Sequence, residues 1–156
     1  MNKLTSKISI KNIAIALAIA IFFIVDRILK ILAVNSGTLP PIKLVGDIFT
    51  FDFTANYYMA FSLPFSGLPL NIIILLLIIS LIAVIAFLAF SGKQYKLEIT
   101  LLSFILFGAI SNILDRLIYG YVVDYLYLKN FTIFNLADVM ISGGALILIF
   151  KNIRNR

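Results

Sequence analysis

Four stretches of this chain, residues 13–34, 68–90, 97–117 and 134–150, are apolar over most of their length. At about 1.5 Å of rise per residue, a helix of about 20 such residues crosses a hydrocarbon core of about 30 Å. The fourth run falls short of that length and needs a thin bilayer or extra flanking turns. In lipid, every backbone N–H and C=O must be paired within the structure, which leaves helices or closed barrels as the only ways to cross. Runs of this length and apolarity predict helices, and the whole chain of 156 residues then folds as one membrane domain, 1–156. The balance of residue types agrees: 62% are hydrophobic and only 13% charged, against about 25% charged in soluble domains.

Charge placement orients the bundle. Lys3, Lys7 and Lys11 precede the first run, Lys93 and Lys96 lie between the second and third, and Lys151, Arg154 and Arg156 follow the last. By the positive-inside rule these segments are cytoplasmic, so both termini are inside. Residues 35–67 and 118–133 then face outward, with only Lys43 and Lys129 as cations. The net charge of +6 is thereby explained by membrane orientation, and no nucleic-acid partner is expected. The first run carries Asp26, Arg27 and Lys30 late in its length and lacks a clear cleavage motif, so it reads as a retained helix.

The outward segments differ. In "GDIFTFDFTAN", Phe49, Phe51 and Phe53 alternate with Thr50, Asp52 and Thr54, the period of a strand with one apolar face. A small extracytoplasmic β-sheet over about 40–63 is expected between the first two helices. Residues 118–133 mix Tyr, Val and Leu with Gly120, Asp124 and Lys129, the composition of an interfacial loop.

Polar side chains gather at one depth. The first and third helices run outward and end in Asp26 with Lys30 and in Asn112, Asp115 and Arg116; the fourth begins outside with Asn135 and Asp138. Spacings of three and four residues put each helix's set on one face. Asp26 with Lys30 suits an ion pair within the helix, and Asp115 beside Arg116 suits either a buried pair or a substrate role. Asn112 and Asn135 suit contacts to free backbone groups or to substrate. Asp124 and Asp138 differ, because neither has a cation one turn away.

A carboxylate inside an apolar run costs roughly 2.5–3.5 kcal/mol and calls for a partner or a task. Two acids close together share a proton, leaving one as a base for water and one as an acid for a carbonyl oxygen. The chain has no histidine and no cysteine, which excludes Ser–His triads, thiol nucleophiles and zinc-protease sites. A carboxylate dyad is the most economical hydrolytic machinery left. Lys30 with Ser62 or Ser111 is the residual nucleophilic arrangement, and a small proton- or ion-coupled membrane transporter is the alternative class, since acids in a bundle also describe an ion path.

In order along the chain, "DRILK", "NYYMAFS", "SNILDRLIYGYVVDY" and "FNLADVMI" resemble the motifs of the bacterial lipoprotein signal peptidases, the signal peptidase II family. The resemblance implies an aspartyl endopeptidase with four transmembrane helices and an outer β cradle. Its dyad would be Asp124 and Asp138, with Asn56, Asn112, Arg116 and Asn135 orienting the dyad or holding substrate backbone. Asp26, Lys30 and Asp115 fall on positions credited with shaping the site. The implied substrate is a diacylglyceryl-modified prolipoprotein, cut just before the lipidated cysteine at the extracytoplasmic face of the bacterial cytoplasmic membrane. The resemblance implies no metal and no organic cofactor, and it implies inhibition by globomycin-type peptide antibiotics. Membrane lipid is the other partner, and a monomer is expected. Tyr58 and Met59 stand where the family has small residues, so an altered groove, or a divergent paralogue with altered specificity, is the second alternative.

Overall fold

The computed structural model describes residues 10–37, 39–58, 67–91 and 95–154. Met59 and Ser62, both named above, lie outside these residues, as do Lys3, Lys7, Lys93 and Arg156. Four helices, α1 (Ile10–Ser36), α2 (Gly67–Phe90), α3 (Lys96–Tyr119) and α4 (Leu136–Arg154), carry four short strands at one end. The strands are β1 (Ile42–Val45), β2 (Phe49–Asn56), β3 (Val122–Leu128) and β4 (Thr132–Phe134), joined as one antiparallel sheet in chain order. This sheet lies where α1 and α3 finish and α2 and α4 begin.

Three of the helices, α2, α3 and α4, are long and apolar enough to cross a membrane. Their outward surfaces show why. Only Leu70 and Ile78 of α2 are buried, and the rest of that helix presents Ile, Leu, Val and Phe to its surroundings. A contiguous apolar surface of that size is stable against lipid or another apolar surface, and not against water. Among the described residues, a compact aromatic and aliphatic core sits instead at the sheet. Ala33, Val123 and Tyr125 are fully buried there, packed by Leu29, Phe51, Phe53 and Tyr121. Phe51 and Phe53 of β2 therefore pack onto the end of α1, but the alternation expected from the sequence is not kept along the strand: its buried residue is Thr50, and a register shift falls between Phe51 and Thr54.

Residues 118–133, expected as a loop, hold the end of α3, all of β3 and most of β4, so the sheet is not confined to the segment between the first two helices. Gly120 ends α3 in the left-handed region at φ 84°, its N–H donating to the Arg116 carbonyl at 3.1 Å, a stop that favours glycine. The chain then runs straight into β3, whose Val122, Val123, Tyr125 and Tyr127 are strand formers. Asp124 reads as a loop residue on propensity alone. It sits in the strand by pairing with Thr54 in the β2–β3 ladder, and Asn56, two positions further along β2, bonds its carboxylate. The fourth helix also starts later than residue 134, since Phe134 closes β4, and it continues to Arg154. Its 19 residues reach about 28 Å, so no unusually thin bilayer is needed.

Candidate active site

The site is assembled by the close crossing of α3 and α4. A methyl group on Gly108 would meet the Ala137 carbonyl oxygen at 2.6 Å, so the two backbones approach as only a glycine permits. That contact brings Asn112, one turn further along α3, up to the start of α4. Asn135 caps α4: its Oδ1 accepts from the Asp138 N–H at 2.8 Å, while the Asn135 N–H donates to Asp138 Oδ2 at 3.3 Å. This reciprocal pair is a capping box with Asn and Asp in its two roles. Asp138 Oδ1 accepts from Asn112 Nδ2 at 2.8 Å.

Asp124 arrives from the sheet. Its Oδ2 accepts from Asn56 Nδ2 at 2.9 Å and its Oδ1 from Asn135 Nδ2 at 2.7 Å. Asn135 thus grips both acids, one through its side-chain amide and the other through its carbonyl and backbone N–H. Asp124 is 2% exposed, and neither it nor Asp138 forms an ion pair among the described residues. Burial first, and then the nearby charge of Asp138, push the Asp124 carboxyl up to about 7, against the opposing pull of the Asn56 and Asn135 hydrogen bonds and the Lys30 charge. It titrates near neutrality.

A second cluster lies directly behind. Lys30, fully buried, donates to Asp115 Oδ2 at 2.7 Å and Asn112 Oδ1 at 2.8 Å and stands 3.3 Å from Asp26 Oδ2. Arg27 pairs with Asp115 and reaches the Ser111 carbonyl at 3.2 Å. Asp26 accepts from Ser111 Oγ at 2.5 Å, Tyr125 Oη at 2.9 Å and the Ala137 N–H at 3.1 Å. Asp115 Oδ2 also takes the Val123 N–H at 3.1 Å. Four elements, α1, α3, β3 and α4, are tied through these groups.

Two local readings from the sequence are corrected here. Asp115 does not pair with its neighbour Arg116: its partners are Lys30 and Arg27, and the Arg116 guanidinium instead donates to the carbonyls of Tyr57 and Tyr58 at 3.3 and 2.6 Å. Adjacent residues on a helix point about 100° apart, which directs the two side chains to different neighbours. Ser111 is not joined to Lys30, because its hydroxyl is given to Asp26. Arg27, Ser111 and Tyr125 escaped the sequence reading as members of this cluster. Their partners lie on other elements, and no local spacing marks them.

Signal peptidase (SPase) II is the family whose model matches this chain, over residues 18–154. The chain belongs to the signal peptidase II family. The chain is 34% identical over 128 residues to the lipoprotein signal peptidase of Caldicellulosiruptor bescii, covering 82% of this chain and 83% of that one. It is 36% identical over 135 residues to that of Microcystis aeruginosa, covering 82% and 84%. In fold it is similar to a bacterial membrane enzyme solved by the in meso method at 2.3 Å resolution, with a TM-score of 0.78, 21% identity and coverage of 91% and 88%. Signal peptidase II is a membrane protease family that removes signal peptides from lipoproteins, and the long apolar helices of this chain suit that setting.

Proposed function

We propose that this chain is an aspartic endopeptidase that removes the signal peptide from diacylglyceryl-modified prolipoproteins, cutting before the lipidated cysteine, with Asp124 and Asp138 as its catalytic pair. One observation carries the reading: two carboxylates, Asp124 buried and Asp138 partly buried, are bonded by the same asparagine, with amide groups and no ion-pair partner among the described residues. Charges arranged that way are costly unless one carboxyl keeps a proton, and a shared proton is what amide hydrolysis uses.

In the proposed reaction the ionised carboxylate takes a proton from water as the water oxygen bonds to the scissile carbonyl carbon. The protonated carboxyl gives its proton to the carbonyl oxygen. Collapse of the tetrahedral centre returns that proton, breaks the C–N bond and delivers the first proton to the leaving amine. Asn56, Asn112 and Asn135 fix the two acids, and Arg116 fixes the chain beyond β2; all four are proposed to contact substrate backbone as well. Asp26, Lys30 and Asp115 shape the pocket from behind. All four helices are proposed to span the cytoplasmic membrane of a bacterium, with both termini inside and the sheet and active site at the extracytoplasmic face. A lipid-anchored peptide is confined to that surface, which supplies proximity that a soluble enzyme would need binding energy to create. We further propose that the chain is one membrane domain acting as a monomer, inhibited by globomycin-type peptides.

The test is cleavage of a synthetic diacylglyceryl-modified prolipoprotein by protein purified into lipid. Wild type cuts before the modified cysteine, and Asp124→Asn and Asp138→Asn each lower the rate by about 10³-fold or more while remaining folded. Normal turnover by either variant overturns the dyad, and activity that needs an imposed ion gradient overturns the protease reading in favour of a carrier.

A further inference from the structure

Tyr57 and Tyr58 stand immediately after the strand that delivers Asn56 to Asp124, and their backbone is fixed on both sides. The Tyr58 N–H donates to Asn56 Oδ1 at 3.1 Å, the same amide whose Nδ2 holds Asp124. Arg116, 8% exposed, grips the Tyr57 and Tyr58 carbonyls. The two rings nevertheless fare differently. Tyr57 packs on Tyr121 with centroids 5.3 Å apart, in a group that includes Tyr119 and Phe53. Tyr58 has no aromatic neighbour among the described residues and is 51% exposed. The backbone beneath the Tyr58 ring is held at both its N–H and its carbonyl, which fixes where the ring is anchored and leaves it two side-chain torsions.

We propose that the Tyr58 ring is a specificity-determining wall that restricts the side chain of the substrate residue following the lipidated cysteine. This rests on the proposed function. Asp138 belongs to α4 and is reached from α3, whereas Asp124 belongs to the sheet, so the path from the helices through the dyad toward the sheet leads to Asn56 and then Tyr58. A signal peptide lying along the helices puts the scissile bond at the dyad and the departing mature chain on the sheet side. The first mature residue is the lipidated cysteine, and the next is the one that passes the ring. Crowding there opposes bulky side chains and leaves residues before the cut unaffected.

The experiment compares kcat/KM for lipidated substrates with Gly, Ser, Leu or Trp after the cysteine, and for a second set varied just before it. Wild type favours Gly over Trp by about tenfold or more, the range that steric misfit in a pocket supplies. Tyr58→Gly flattens that ratio, Tyr58→Phe keeps it, and neither changes the ratio in the second set. Equal use of Gly and Trp substrates by wild type overturns the inference with no variant needed, as does an unflattened ratio in Tyr58→Gly or in Tyr58→Ala. Failure of wild type to cut any substrate overturns the proposed function itself, a separate result.

Discussion

Asp115 and Asp124 are both buried carboxylates on adjoining elements, yet they live in opposite electrostatic surroundings. Asp115 is met by Lys30, Arg27 and a backbone N–H. Asp124 is met by two asparagine amides. The first arrangement compensates the charge and locks α1 to α3 and β3. The second supplies hydrogen bonds but no direct ion pair, and burial together with the Asp138 charge outweighs those bonds and the Lys30 charge, pushing its carboxyl up to about 7. Lys30 and Arg27 form their ion pairs in the cluster behind the site, and none of the described cations pairs directly with Asp124 or Asp138. Neutral amides orient an acid without fixing its charge, which is the property a shared-proton pair requires.

The contrast is broken most severely by removing a cation from the rear cluster. Lys30→Met keeps the stem but leaves Asp26 and Asp115 short of a buried partner, and breaking a buried pair on one side costs about 3–5 kcal/mol. Unfolding in detergent should show a loss of that order together with loss of activity. Asp124 should behave in the reverse sense. Because folding raises the Asp124 carboxyl from 3.8 to about 7, the folded chain holds a proton in that window that the unfolded chain has released. This group's contribution to stability is therefore present at low pH and falls as pH rises through about 7. Asp124→Asn should unfold at a higher temperature than wild type at pH 8, with the gap closing toward pH 5. A variant less stable than wild type at pH 8 would show that Asp124 is a structural acid like Asp115.

The helix crossing gives a smaller and more diffuse effect. Gly108→Ala places a methyl 2.6 Å from the Ala137 carbonyl oxygen, which is backbone and cannot swing aside. Overpacking of this kind costs about 1–3 kcal/mol, and it separates Asn112 from Asp138, so activity should fall further than stability alone accounts for. The pH profile is a finer probe. The Asn56 hydrogen bond opposes the rise of the Asp124 carboxyl, so Asn56→Ala should move the inflection in kcat/KM near pH 7 upward. An unmoved inflection would mean that another group controls that limb.

The contrast between the clusters was only half legible in the sequence. Helical spacing and charge bias put Asp26, Lys30, Asn112, Asp115, Asn135 and Asp138 at one depth, because the period of a helix and the direction of each run follow from local pattern. Which acid meets which cation did not follow. Asp26 and Lys30 have the spacing of a self-contained pair, but Lys30 lies closer to Asp115 than to Asp26, while Ser111, Tyr125 and a backbone N–H take up the Asp26 oxygens. Those choices are made by tertiary packing, as is the strand around Asp124, where loop-like residues are held by cross-strand bonding. Arg27, set beside Asp26 and not one turn from it, belongs to the same blind spot.

The smallest effect lies at the other end of the bundle. Glu98 and Lys151 pair across α3 and α4, each about one quarter exposed. Like Asp115, Glu98 has a cationic partner; unlike Asp115, it keeps access to solvent, so its pairing replaces water contacts that remain available. Such pairs contribute at most about 1 kcal/mol. Glu98→Gln should therefore change the unfolding midpoint slightly, more at low salt than at high salt, and leave kcat/KM and its pH profile unchanged. A large loss of activity in this variant would mean that the spacing of α3 and α4 at the site is set from their far ends and not by the Gly108 crossing, which would make the rear cluster a follower of helix packing and not its cause.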